Sequence, residues 1–128
     1  MNFPVELRYT AEHIWVRSMD DGAWLIGITD FAQQQLGKII FVDLPAVGRQ
    51  LQAGREMGAV ESAKSVSDLF APINGVVLMV NAAAEATPDL INREPYGGGW
   101  LISLTQEAGA DLEHLLQAEQ YRKLVLSI

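Results

Sequence analysis

A short β pattern occurs twice in this chain and limits the folds that the chain can adopt. The stretches GKIIFVD, from Gly37, and GVVLMVN, from Gly75, each contain a glycine, an alternating apolar strand and then an acid or amide. The two copies flank Lys64 at similar distances. Two similar β units related by approximate symmetry predict a flattened β-barrel, with a hairpin that carries Lys64 where the units meet.

The other segments indicate a mainly β protein with short helices. HIWVR and AWLIGI read as strands joined by the turn MDDG, and GGGWLISL predicts a further strand. TDFAQQQLG is predicted to be a short helix that is capped by Asp30 and ends at Gly37. The tail DLEHLLQAEQYRKLVLSI has helical spacing that slips near Gln117, so we expect one broken helix or two short ones.

The length and composition are those of a folded domain. At 128 residues we expect a single domain, 1–128, with a core β unit at about 12–105 and a C-terminal helical segment at about 110–126. The absence of cysteine excludes disulfides, cysteine–zinc sites, iron–sulfur clusters and cysteine nucleophiles.

The histidines and aromatic residues favour structural roles. His13 and His114 are too few and too separated to predict a metal site, and His13 beside Glu12 has no evident nucleophile, which favours a structural hydrogen bond. The large aromatic side chains are expected to pack in the core or on a sheet face. They are Trp15, Trp24, Phe41 and Trp100.

The charge balance limits the possible partners. A net charge of −7 and a pI of about 4.6 argue against nucleic acid, because no basic stripe is available to replace phosphate counterions. The same charge is compatible with docking onto basic partner surfaces, although solubility alone explains it equally well. The apolar runs are too short to span a membrane, and MNFPVELRYT lacks the order of a signal peptide. We therefore expect a cytoplasmic protein without a membrane partner.

Lys64 stands at the tip of the predicted hairpin in AVESAKSVSDLFAPINGVV, residues 59–77. Its neighbours on this hairpin are small or acidic: Glu61, Ser62, Ala63, Ser65 and Asp68. A swinging arm requires an amine on an exposed, tight turn that is rooted by rigid strands. An ordinary solvated turn lysine explains the pattern about equally well.

Four ordered stretches carry a family resemblance: YTAEHIWV, GITDFAQQQLGKIIFVDLPAVG, GAVESAKSVSDLFAPINGVV and LINREPYGGGW. Through them the chain resembles the glycine cleavage system H protein family over nearly its whole length. The resemblance implies a barrel-sandwich hybrid fold with added terminal helices, and a lipoyl carrier with lipoate attached covalently to Lys64. It also implies an attachment hairpin and an arm cleft. The hairpin residues are Glu61, Ser62, Ala63 and Ser65, and the cleft candidates are Asp68 and Glu12.

The resemblance further implies a set of partner enzymes. A lipoyl ligase or transferase attaches the arm, and the pyridoxal-phosphate-dependent glycine decarboxylase loads it with the aminomethyl intermediate of glycine. The folate-dependent aminomethyltransferase unloads it, and dihydrolipoamide dehydrogenase reoxidises the dithiol. The chain itself is expected to be a non-catalytic carrier subunit.

Two positions depart from the family pattern and leave other functions open. Ile14 stands where the family usually has a cleft glutamate, and Gln35 stands where it commonly has histidine. These departures suggest an alternative, an H-like lipoate-binding protein that carries sulfur compounds for a heterodisulfide-reductase-like sulfur-oxidation complex. A core-facing apolar residue explains Ile14 about equally well. A biotin carrier has less support, because Ala63 and Ser65 stand where such carriers have methionines beside the lysine. An unmodified structural relative and a small hydrolase also have less support.

Overall fold

The computed structural model describes residues 1–105 and 112–127, and in this part of the chain nine strands form two sheets. All neighbouring strands pair antiparallel. In spatial order, the first sheet contains β1 (Arg8–Tyr9), β2 (Ile14–Ser18), β3 (Trp24–Ile28), β9 (Ile102–Leu104), β8 (Gly75–Val80) and β5 (Gln50–Leu51). The second contains β4 (Ile39–Asp43), β6 (Glu56–Ser62) and β7 (Val66–Phe70).

The two sheets enclose a common core, which confirms the prediction of a mainly β, flattened barrel with short helices. The repeated stretches form β4 and β8, one in each sheet. Ile14 and Val16 point from β2 into the core between the sheets, where they meet Val42 and Val60 of the second sheet. The hairpin that carries Lys64 joins β6 to β7.

The opposite face of β2 is buried as well. Trp15 alternates with Ile14 and Val16 and packs with Tyr9 and Tyr121 in a second apolar cluster. Gly27 lies opposite Trp15 in the sheet, and a Cβ there would lie 2.6 Å from the indole ring. The Trp15 side chain therefore fits only because position 27 has no side chain.

Four helices accompany the sheets in the described residues: α1 (Asp30–Leu36), α2 (Ala82–Ala86), α3 (Asp89–Arg93) and α4 (Ala118–Leu126). The prediction that Asp30 caps α1 is wrong, because Thr29 is the N-cap and its hydroxyl accepts a hydrogen bond from the Ala32 amide. The predicted end at Gly37 is confirmed, with φ at 75°. Helices α2 and α3 were not predicted from the sequence. None of these helices is long and apolar enough to span a membrane.

The C-terminal helix begins at Ala118, later than the helical spacing predicts. Gln117, where the spacing slips, is its N-cap, and the Gln117 amide donates to the Gln120 side chain in a capping box. The prediction of helix from Leu112 is wrong, since residues 112–117 form turns and the bridge of Leu116 to Tyr9. Residues 110 and 111 lie outside the described residues.

Candidate functional site

The hairpin tip is an ordered turn that is organised by one buried hydroxyl. Ser62 Oγ accepts hydrogen bonds from the amides of Lys64 and Ser65 at 3.3 and 3.2 Å, and donates to the Ser65 carbonyl at 3.3 Å. Ser62 is buried, whereas Ala63, Lys64 and Ser65 are exposed. From the sequence, Ser62 is only a small neighbour of Lys64; in the structure its hydroxyl also fixes the direction in which the backbone presents Lys64.

The Lys64 side chain lies beside the end of α1. A Cβ at Gly37 would lie 3.7 Å from Lys64 Nζ, so the ammonium group lies close to the last turn of the helix. The free carbonyls of a helix C-terminus favour a nearby cation. Lys64 is exposed at this place, and its successor Ser65 lines the cavity that opens between α1 and β7.

This cavity has a volume of about 480 Å³ and two unlike walls. Residues from Glu12 to Leu36 form one wall, which consists largely of α1, and residues of β6, the hairpin and β7 form the other. Its lining consists of Glu12, His13, Ile28, Phe31, Ala32, Gln35, Leu36, Val60, Ser65, Val66, Ser67, Asp68 and Leu69. The site therefore combines an exposed amine at its rim with an apolar interior and two carboxylates.

The structure brings together some of the predicted site residues and separates others. Glu12, Ser65 and Asp68 line the cavity, as does Gln35. Glu61, Ser62 and Ala63 belong to the hairpin but do not line the cavity. Ile14 is only 1% exposed and faces the core, paired with Ile28 across the sheet. Ile14 is therefore a core residue and does not line the cavity.

His13 is a cavity residue that the sequence analysis did not place there. Its Nδ1 lies 2.7 Å from the Tyr121 hydroxyl, which lies 2.8 Å from Thr29 Oγ1. Its ring also packs on Phe31 with the ring centroids 4.8 Å apart. The expected structural hydrogen bond is confirmed, but its partner lies 108 residues away, on α4. This chain of contacts connects the cavity wall to both α1 and α4.

The backbone of His13 is in the left-handed region, with φ at 70°. Such a conformation costs free energy for a residue with a Cβ and persists where surrounding contacts fix it. Here the His13 amide donates to the Thr10 carbonyl, and the His13 carbonyl accepts from the Thr29 amide. The bend turns the imidazole toward the cavity and Tyr121.

Burial lowers the pKa of His13, and the nearby carboxylate of Glu12 opposes this effect only in part. Burial also raises the pKa of Tyr121, which keeps its hydroxyl protonated. At neutral pH the imidazole is therefore neutral, with Nδ1 occupied by Tyr121. Among the described residues, no group of three or more histidine, aspartate or glutamate side chains is placed to hold a metal ion.

The lowered pKa of His13 predicts a pH dependence of stability. As the pH falls below the ordinary histidine value of about 6.5, the unfolded chain binds a proton at His13 before the folded protein does. The free energy of unfolding should therefore fall until the pH lies below the pKa of the folded state. Urea unfolding between pH 7.5 and 5 should show a smaller fall for His13→Gln than for the wild type. An equal fall in His13→Gln and in the wild type would contradict the prediction.

The chain is similar to known proteins over nearly its whole length. The chain matches the family profile described as "Glycine cleavage H-protein" over residues 7–128. It is 50% identical over 125 residues to the glycine cleavage system H protein of Bacteroides fragilis, with 98% of each chain covered. It is 52% identical over 125 residues to the corresponding protein of Mycobacterium avium, covering 94% of this chain and 95% of that one.

A solved structure shows the same fold. The crystal structure of a glycine cleavage system H protein from Mycobacterium marinum matches with a TM-score of 0.85 and 42% identity, over 94% of this chain and 96% of that chain. The length and identity of these matches establish the family, and the exposed hairpin lysine at the rim of a cavity is consistent with it. The chain belongs to the glycine cleavage H-protein family.

Proposed function

We propose that this chain, acting as one carrier domain, is the lipoyl carrier of glycine cleavage, and that lipoate is joined to it through an amide bond to Lys64. The observation that carries the proposal is an exposed lysine on an ordered hairpin, at the rim of a cavity with an apolar interior. The amide forms when Nζ attacks the activated carboxyl carbon of lipoate. The activating group then leaves, and the amine loses a proton.

The cavity suits a lipoyl group in both size and lining. Its volume of about 480 Å³ is within the range of small-molecule sites. Its apolar side chains offer contact to a dithiolane ring and exclude water from it. They are Ile28, Phe31, Ala32, Leu36, Val60, Val66 and Leu69. When attached, the lipoyl group supplies the sulfur on which the aminomethyl group is carried.

The polar residues of the cavity suit a cationic cargo. An aminomethyl group carries a primary amine, which is positively charged at neutral pH. Glu12 and Asp68 lie on opposite walls and place negative charge on both sides of the cavity. His13 adds no positive charge, because burial keeps its imidazole neutral. The two carboxylates and the neutral imidazole therefore favour a cation inside the cavity.

The proposed partners follow from this role. They are a lipoyl ligase or transferase, the glycine decarboxylase, the aminomethyltransferase and dihydrolipoamide dehydrogenase. A net charge of −7 favours rapid encounter with basic surfaces on such enzymes. The chain would act as a carrier, with the catalytic groups supplied by its partners. The sulfur-carrying alternative has less support, because Ile14 is buried in the core and only Gln35 of the two departures borders the cavity.

Glycine-dependent loading tests the proposed function. The lipoylated chain is incubated with glycine and the decarboxylase, and intact mass spectrometry measures the aminomethyl adduct and its decay after the decarboxylase is removed. The wild type should load readily. Glu12→Gln and Asp68→Asn should each shorten the lifetime of the adduct by about two- to fivefold, since each removes a solvent-exposed charge from the cavity.

Asp43→Asn is the matched control for these variants. Asp43 is exposed on β4 and lies in one cross-strand row with Asp68, but it does not line the cavity. Its substitution should leave the adduct lifetime unchanged. Failure of the wild type to load would refute the glycine cleavage function. Equal lifetimes in Asp43→Asn and Asp68→Asn would refute the role of the cavity carboxylates.

A further inference from the structure

Two large apolar side chains point into solvent close to the Lys64 hairpin because of an irregularity in β4. Ile39 pairs with Ser62 and Phe41 pairs with Glu61, so Ile40 is an extra residue in a bulge. In a regular strand, neighbouring side chains point to opposite faces. Here Ile40 and Phe41 are 51% and 56% exposed. Of the two expected placements for Phe41, the core is therefore wrong, and the side chain lies on an open face of the second sheet. Bulges often redirect side chains in this way next to functional sites.

Phe41 belongs to a row of side chains that crosses the second sheet just below the hairpin tip. Glu61 lies opposite Phe41 on one side and opposite Val66 on the other. Directly paired residues share a face of the sheet, so this row extends for about 10 Å across three strands. Val66 is 63% exposed. We call Ile40, Phe41, Glu61 and Val66 the tip patch.

Acidic side chains border the tip patch. The next row on the same face has Asp43 and Asp68 at its two ends, with Ala59 between them, and both acids are exposed. Within the described residues, neither acid is in a salt bridge, and the same holds for Glu61. The surface beside Lys64 therefore combines exposed apolar side chains with acidic ones, Glu61 within the tip patch and Asp43 and Asp68 at its border.

We propose that the tip patch docks the enzyme that attaches lipoate to Lys64, through an apolar surface of that enzyme that is bordered by basic residues. This inference rests on the proposed function and adds to it the surface that the modifying enzyme recognises. Aromatic side chains supply much of the binding energy at such interfaces, and opposite charges around them speed the encounter.

The position of the patch favours the attaching enzyme over the enzymes that act on the finished arm. To form the amide, Lys64 Nζ itself has to enter the active site of the attaching enzyme. The short lysine side chain then brings the hairpin tip and the adjacent row of Phe41, Glu61 and Val66 against the enzyme surface. The other partners react at the distal end of a long arm and have no such need to contact this row.

Initial rates of lipoylation test the proposal. The unmodified chain is titrated against a lipoate–protein ligase with lipoate and ATP. Phe41→Gln should raise KM by about tenfold with little change in kcat, because it removes a docking contact and leaves Lys64 in place. Glu61→Gln should raise KM at low salt, and the difference from the wild type should shrink at high salt. Both side chains are on the surface, so melting temperatures should stay close to that of the wild type.

Met79→Gln is the matched control for Phe41→Gln. Met79 is 58% exposed and lies on β8, in the other sheet. Its substitution should leave KM unchanged. A wild-type KM in Phe41→Gln, or an equal rise in Met79→Gln, would overturn the proposal.

Binding of a chain without the lysine separates this inference from the proposed function. Lys64→Ala cannot be modified, but calorimetry should show that it binds the ligase, and that adding Phe41→Gln weakens this binding by about tenfold. Equal binding with and without Phe41→Gln, or no binding of Lys64→Ala, would overturn the role of the tip patch. A wild-type chain that binds through the patch yet is not modified at Lys64 would instead refute the proposed function.

Discussion

Lys64→Ala is expected to abolish lipoylation completely, while the protein stays folded. The other lysines of the chain, Lys38 and Lys123, lie just before β4 and on α4. Neither is on the turn that Ser62 orders or at the rim of the cavity. Because Lys64 is exposed and is in no salt bridge with a described residue, its loss should change the free energy of unfolding little.

The measurement is intact mass after co-expression with a lipoate–protein ligase, followed by peptide mapping. Lys38→Ala and Lys123→Ala should be modified as fully as the wild type. Lys64→Arg, which keeps the positive charge, should remain unmodified, because the guanidinium group does not form the amide under these conditions. An adduct on Lys38 or Lys123 would contradict the assignment. So would a wild type that stays unmodified when the same ligase modifies a known substrate in a parallel reaction.

Gly58→Ala is expected to destabilise the protein strongly, by about 3 kcal/mol, which corresponds to a fall in melting temperature of about 10 °C. Gly58 lies on β6, where a Cβ would collide with the carbonyl oxygen of Asp43 on the neighbouring strand β4. The obstacle is backbone that takes part in the sheet, so relief requires β4 and β6 to move apart. Thermal melting followed by circular dichroism measures the effect.

Gly54→Ala separates this collision from the general cost of replacing a glycine. Gly54 has φ at 83°, and nothing lies within 4 Å of the Cβ that alanine would add. Its substitution should cost only the left-handed backbone conformation, about 1 kcal/mol. A Gly58→Ala protein that melts at or above the temperature of Gly54→Ala would show that the two strands adjust to the methyl group with little strain.

Local signals in the sequence predicted the elements whose formation depends on neighbouring residues. The turn MDDG places Gly22 at φ 86°, where glycine is the residue with least strain, and joins β2 to β3. Gly37 ends α1 for the same reason. Helix α2, which was not predicted, also has a local signal, because Asn81 caps it and alanines follow directly.

The position of functional side chains was less accessible to sequence reasoning. Thr29, the N-cap of α1, has a second hydrogen-bond partner in Tyr121. The Tyr121 hydroxyl lies 2.8 Å from Thr29 Oγ1, although the two residues are 92 positions apart in the sequence. The same hydroxyl holds His13 in the cavity wall. No spacing in the sequence indicates contacts across such separations, since they form only when α4 packs on the first sheet.

The sequence by itself determined the strand pattern, the tight turns, the exposed hairpin with Lys64 and, through its ordered stretches, the family to which the chain belongs. These features depend on short-range periodicity and on residue types that a turn requires. The tertiary structure alone decided that Ile14 faces the core, that His13 borders the cavity and that Phe41 faces solvent. The physical reason is that sheet register, a single-residue bulge and long-range packing set the direction of a side chain, and a shift of one residue reverses it.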